Sequence, residues 1–271
     1  MRLITIALLL IAAFCAPARA QETAEPLAVL FVGNSYTYFN NLPRLFAAYA
    51  KQQQPERPEP VTEMLAEPAA ALIDRVDDGG VARELARRHY DLVVLQERGG
   101  MLGCLTTVQR PIPPECSSTI RAHRELTKLA RSAGARVVLL GTWTVPPGEQ
   151  GPLSRGLRQV AARGGGAEVV DVGKAIEALK RQWRGPPLLH SDAHPAPMGS
   201  ALAAIALWRS YSRSEPAAAP FTATVPRYLA NARFNAAHPA SRLQLAMNEQ
   251  SLDVNLDADQ VAMMLVALRK R

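Results

Sequence analysis

Cysteine is scarce: three occur in 271 residues, and only Cys104 and Cys116 fall beyond the first twenty. They are not spaced as CxxC, and the nearest histidine, His123, sits in a helical pattern beyond the stretch that holds them, which argues against a thiolate metal site. Long apolar runs are missing as well. The best candidate, Leu3 to Phe14, is shorter than the roughly 20 residues a membrane-spanning helix needs. Nor do Lys and Arg form a run interleaved with aromatics. The formal charge is +7, but its cations mix with acids, as in Ala82-Arg83-Glu84-Leu85-Ala86-Arg87-Arg88, the pattern of a solvated surface with no nucleic-acid partner. Gly33 stands alone, with neither GxGxxG nor GxxxxGK[ST] around it, so a nucleotide site is disfavoured. No internal repeat is present.

What is there begins with Arg2, the apolar run and Ala18-Arg19-Ala20, the small-x-small pattern that signal peptidase cleaves. Residues 1–20 are expected to be a signal peptide, with a periplasmic or secreted mature chain starting at Gln21 and no stable membrane anchor. Cys15 belongs to the discarded segment, because bulky Phe14 stands where a lipoprotein site wants a small residue. Exported proteins meet an oxidising compartment, so Cys104 and Cys116 are expected to pair across a loop containing Pro111, Pro113 and Pro114. Such a bridge is worth roughly 3 kcal/mol for a loop of this size.

Short Val/Leu runs alternate with amphipathic stretches, which predicts an α/β chain with a parallel sheet covered by helices. The strands are expected at Leu27–Val32, Val61–Leu65, Leu92–Gln96, Arg136–Leu140 and Glu168–Val172. Helices are expected at Leu42–Gln53, across Ile73 to Tyr90 in one or two pieces, and at Thr119–Ala133, Leu153–Arg163, Lys174–Trp183, Pro197–Tyr211 and Asp257–Leu268. Pro216–Pro226 reads as loop. Residues 21–271 are taken as a single domain, with 214–271 a helical C-terminal extension.

Functional residues of an open parallel sheet collect beyond the carboxyl ends of its strands. The first strand runs into Gly33-Asn34-Ser35, poor strand formers and good turn formers. Either Asn34 or Ser35 caps the next helix, or Ser35 is presented there as a nucleophile. A serine nucleophile needs a base, usually a histidine held by a third group. His89 and His123 lie in charged helical patterns and read as surface residues, and His238 has no nearby acid. His194 lies in Leu189-His190-Ser191-Asp192-Ala193-His194-Pro195, where Asp192 could orient the imidazole; the alternative is a surface loop that happens to hold both.

The two segments together resemble the SGNH/GDSL hydrolases. FVGNSYT, VVLQE, the Thr142-Trp143 dipeptide and HPxxxGS follow one another as in the branch with a GNS-type first block, and the likeness covers roughly Leu27 to Tyr211. It implies a three-layer α/β/α sandwich around a central, mostly parallel five-stranded sheet. It also implies ester hydrolysis without metal or cofactor, with Ser35 as nucleophile, His194 as base and Asp192 as acid. The family's acid stands three residues before its histidine, where this chain has Ser191. Its oxyanion hole adds to the Ser35 N–H a glycine after the second strand and an asparagine after the third. Here those regions hold Ala66-Glu67-Pro68-Ala69-Ala70-Ala71, where Pro68 has no N–H, and Gln96, whose side-chain amide is the candidate donor; the alternative is a polar residue that merely ends a strand.

Glu97 and Arg98 could pair or line the cleft. Tyr36, Tyr38 and Trp143 could face an acyl chain or sugar ring, or pack in the core, the latter more readily for Tyr38. Small-molecule or carbohydrate esters are the substrates expected of an exported member of this family. The altered acid spacing and the missing glycine and asparagine leave a second possibility, a non-catalytic binding or scaffold protein that keeps the fold.

Overall fold

The computed structural model describes residues 25–106, 113–143, 150–228 and 251–269. The expected signal segment and His238 lie outside them. Five strands alternate with helices in the order β1 (Ala28–Gly33), α1 (Ser35–Tyr38), α2 (Leu42–Gln53), β2 (Val61–Ala66), α3 (Leu72–Asp77), α4 (Gly80–Arg87), β3 (Leu92–Gln96), α5 (Pro114–Ser132), β4 (Arg136–Gly141), α6 (Gln150–Arg163), β5 (Glu168–Asp171), α7 (Val172–Leu179) and α8 (Pro197–Ser212). Two more strands, β6 (Phe221–Pro226) and β7 (Ser251–Leu256), precede α9 (Ala258–Arg269).

The first five strands form a parallel sheet in the order β2-β1-β3-β4-β5. Every residue of β1 and β3 is buried. A strand covered on both faces reads as a continuous apolar run, as these two do. Alternate residues feed two cores. Val29, Phe31, Val94, Val138 and Leu140 pack with α2, α7, α8 and α9 on one face. Leu30, Val32, Val93, Leu95 and Leu139 pack with α3 to α6 on the other. The result is the expected three-layer α/β/α arrangement.

The order reverses between β1 and β3, where one connection leaves toward β2 and the other toward β4. At such a switch point the two following loops diverge and leave a crevice beyond the carboxyl ends. Ser35 follows β1 and Gln96 ends β3, so both border that crevice.

Several expectations require correction. The C-terminal segment is not only helical: Phe221–Pro226 was expected as loop but pairs antiparallel with Ser251–Leu256. Its upstream Ala and Pro residues hid a period-two pattern in which Phe221 and Val225 turn inward and Thr222 and Thr224 outward. Helix α5 begins at Pro114, well before the expected Thr119, because proline is tolerated in a helix's first turn. His123 is not a surface residue. It is 1% exposed, on a stripe with Cys116, Thr119, Ala122, Leu126, Thr127 and Ala130. The fifth strand stops at Asp171, whose Oδ1 accepts the Lys174 N–H at 3.0 Å and caps α7.

Cys104 and Cys116 are joined, with Cα atoms 6.0 Å apart. Cys104 belongs to a 3₁₀ turn, Met101–Thr106, that packs on α6. Gly156 permits this contact, since a Cβ there would lie 2.0 Å from the Leu102 carbonyl oxygen. A Cys104→Ser, Cys116→Ser double variant should lose about 3 kcal/mol of stability in urea unfolding. An unchanged midpoint, together with unchanged turnover in reductant, would show that the bridge constrains nothing the folded state needs.

Candidate active site

Of the two readings of the Gly33-Asn34-Ser35 turn, the capping one holds for Asn34. Asn34 is the cap: its backbone is extended, and its Oδ1 accepts the Tyr36 N–H at 3.1 Å. Its Nδ2 donates to the Ala70 carbonyl at 2.9 Å, tying the turn to the loop after β2. Ser35 opens α1 with its Oγ 3.0 Å from His194 Nε2.

Gln96 fixes the turn from beneath. Its Oε1 accepts the Asn34 N–H at 3.1 Å and the Thr37 hydroxyl at 2.9 Å, while its Nε2 donates to the Glu97 carbonyl at 2.5 Å. This corrects the expectation that Gln96 is an oxyanion donor, because its Nε2 is engaged by the Glu97 carbonyl and the residue is 1% exposed. It also explains Gly33. A Cβ at Gly33 would stand 2.5 Å from Thr37 Oγ1 and 2.6 Å from Gln96 Oε1.

An unpaired N–H does occur in the loop after β2. Ala69 is exposed and left-handed, with φ +58°, a conformation that ordinarily favours glycine. Its N–H has no hydrogen-bond acceptor among the described residues. The sequence contained no glycine to flag this position, so the pattern missed it.

His194 sits on a tight loop closed by the Leu189–Pro195 bridge and by the His190 N–H donating to the His194 carbonyl at 2.9 Å. Asp192 accepts twice from the histidine: Oδ1 from its backbone N–H at 3.0 Å, and Oδ2 faces its Nδ1 at 3.0 Å. The spacing of two works because Ala193 between them takes φ +69° and turns the carboxylate back. Trp143 Nε1 donates to the Ala193 carbonyl at 2.8 Å and holds that conformation. The His194 backbone N–H keeps the Asp192 carboxyl below its ordinary range against the opposing effect of burial, and the His194 ring adds to the lowering, so it is ionised at neutral pH.

Asn40, which the sequence reading passed over, joins the two halves of the site. Its Nδ2 donates to the Pro195 carbonyl at 2.6 Å and to Ser200 Oγ at 3.0 Å. The serine of HPxxxGS thus anchors the nucleophile's segment to the base's segment. Gly199 beside it is small because a Cβ there would meet the Leu188 carbonyl oxygen at 2.0 Å.

The aromatic residues divide. Tyr36 and Trp143 stack with centroids 4.8 Å apart, and Tyr36 meets the His194 ring edge-on at 5.7 Å. Trp143 is 6% exposed and is covered by Tyr36, so it supports the site and offers substrate no free face, a correction to its expected role. Tyr38 is fully buried. Tyr36 remains half-buried at the site, and burial, with the nearby Asp192 charge, raises its phenol pKa. Phe39 was missed: its ring lies 5.4 Å from that of His194.

Glu97 does not line the cleft. It is 2% exposed, and its Oε1 accepts the Leu72 N–H at 3.2 Å and the Arg98 N–H at 2.7 Å. Its Oε2 lies 3.8 Å from Nδ1 of the buried His123. The Arg98 guanidinium turns instead to Met101 Sδ. Among the described residues, no group of three or more His, Cys, Asp or Glu could hold a metal ion.

A Gly33→Ala substitution should destabilise the fold by about 1–3 kcal/mol, the cost of overpacking a filled site. Urea unfolding measures it, and an unchanged midpoint would mean that Gln96 can swing aside freely.

No protein-family model matches the chain, and no curated protein does. Solved structures do. A structure from Slackia heliotrinireducens assigned to the SGNH hydrolases is 25% identical, with a TM-score of 0.55 over 69% of this chain and 100% of that one. One from Parabacteroides merdae, assigned as a GDSL-like lipase, is 13% identical at a TM-score of 0.52, covering 70% and 96%. A variant of an acetyl xylan esterase from Geobacillus stearothermophilus is 14% identical at 0.50, covering 69% and 93%. In motif order, in sheet topology with Ser35 at the switch point, and in fold, the chain resembles the SGNH/GDSL hydrolases.

Proposed function

We propose that this chain is an exported serine esterase that works through an acyl-enzyme on Ser35. The observation that carries the reading is the continuous hydrogen-bonded chain Ser35 Oγ, His194 Nε2, His194 Nδ1, Asp192 Oδ2, each contact 3.0 Å long. A hydroxyl gains nucleophilicity when a positioned base takes its proton as the bond to carbon forms.

Ser35 Oγ attacks the ester carbonyl and its proton passes to His194 Nε2. The tetrahedral oxyanion is met by the Ser35 N–H and the Ala69 N–H. Each such donor lowers the barrier by about 3 kcal/mol when preorganised. The carbon–oxygen bond then breaks, and His194 gives its proton to the departing alcohol. Water, deprotonated by His194, attacks the acyl carbonyl and releases the acid and free Ser35. Asp192 keeps Nδ1 protonated and stabilises the imidazolium.

Small acyl esters, including those on carbohydrate, suit an enzyme outside the cytoplasm, and one structural neighbour is an acetyl xylan esterase, a likeness of fold. Among the described residues no helix is long and apolar enough to cross a membrane. The Cys104–Cys116 bridge accords with an oxidising compartment.

Hydrolysis of p-nitrophenyl acetate by the mature protein tests the reading. Ser35→Ala and His194→Ala should each lower kcat about a thousandfold or more, since members of such a unit do not act additively. Wild-type turnover no faster than these variants, with no fluorophosphonate label on Ser35, would leave a binding protein in its place. Asn40→Ala should lower kcat by about tenfold with less effect on KM, because it loosens the loop that aims His194. An equal kcat would show that Asn40 serves stability alone.

A further inference from the structure

Arg227 and His194 pack around the same aromatic ring. Arg227 follows β6 and lays its guanidinium over the Phe39 ring, with Cζ 4.7 Å from the centroid. The same ring lies 5.4 Å from that of His194 and 5.9 Å from that of His190. Other arginines are matched with acids: Arg44 with Glu59 at 3.4 Å, and Arg209 with Glu215 at 2.9 Å. Among the described residues Arg227 has no carboxylate partner, and its buried Nε has no hydrogen-bond partner. The nearest acid of the loop, Asp192, is engaged by His194.

An arginine on an aromatic face keeps its planar fork directed outward, where it can take two oxygens of one carboxylate. Which part of the substrate would meet it follows from the proton's path. His194 Nε2 must reach the departing oxygen, so the alcohol portion of the ester lies on the His194 side of Ser35. The Phe39 ring borders His194, and His190 and Arg227 pack around that same ring.

Resting on the esterase reading, we propose that the preferred substrates carry a carboxylate on their alcohol portion, and that Arg227 binds it at a subsite floored by Phe39. An acyl group on an acidic sugar or on a hydroxy acid has this form. His190, whose ring lies 5.9 Å from that of Phe39, borders the same subsite.

The test compares kcat/KM for 4-acetoxybenzoate and 4-acetoxybenzamide, each corrected for its spontaneous hydrolysis. The wild type should prefer the acid by about tenfold, the scale of a hydrogen-bonded charge pair at a partly open site. The preference should weaken as salt is raised. Arg227→Gln should bring the ratio near one, and Arg227→Lys should keep part of it. Independently of any variant, 4-hydroxybenzoate should inhibit the wild type competitively and more tightly than 4-hydroxybenzamide. Cleavage of both esters without preference for the acid would overturn the subsite while leaving the esterase standing. A preference that survives Arg227→Gln would overturn the assignment to Arg227, and one seen only for mono-p-nitrophenyl succinate over p-nitrophenyl acetate would put the charge on the acyl side. Failure of the wild type to cleave any of them would sink the esterase reading and this proposal with it.

Discussion

Gln96 Oε1 accepts two hydrogen bonds from the turn after β1, from the Asn34 N–H and the Thr37 hydroxyl, and the position of Ser35 depends on that acceptor. A buried backbone N–H at a strand end must find a partner, because leaving it unpaired costs about 1–3 kcal/mol. In this sheet the neighbouring strand supplies it through a side chain. The arrangement demands a residue without a Cβ at position 33, which is why the strand breaks into Gly33 where its hydrophobic run would otherwise continue. What looks like a loss of strand propensity is the space that lets β3 grip the nucleophile turn.

The base is held by a second, separate set of contacts. Asn40 spans from the end of α1 to Pro195 and Ser200, and Trp143 reaches from the fourth strand to Ala193. Two segments far away in sequence, around Asn40 and Trp143, therefore bear on the loop that carries the imidazole. Asp192 completes the set by a local route, hydrogen-bonding to the backbone and the ring of the same histidine. Its carboxylate is largely exposed, at 64% of its side chain, so solvent weakens its pull on the imidazolium.

The sheet was legible because doubly buried strands are written as uninterrupted Val/Leu runs, and the bounds of β3 and α2 match the pattern. Ser35 and His194 were legible because turn-forming residues after a strand, and an acid beside a histidine, are local signals. The C-terminal strands were not, since proline and alanine ahead of Phe221 mask a weak alternation. His123 was misread for a related reason: its charged neighbours outweighed the helical spacing that puts it on the buried stripe of α5. Gln96 and Glu97 kept their places after β3 but exchanged expected roles for structural ones, because both face inward at a crowded strand end.

Local chemistry in the chain was enough to specify the elements, the edge of the sheet at which side chains of a site collect, and Ser35 and His194 as the pair to meet there, since each depends on residues close in sequence. The roles of Asn40, Ala69, Phe39 and Trp143 arose only on folding. Their partners lie on other segments, and whether a donor is free, a ring is covered or a cation is unmatched is a property of what packs against it, which no spacing along the chain records.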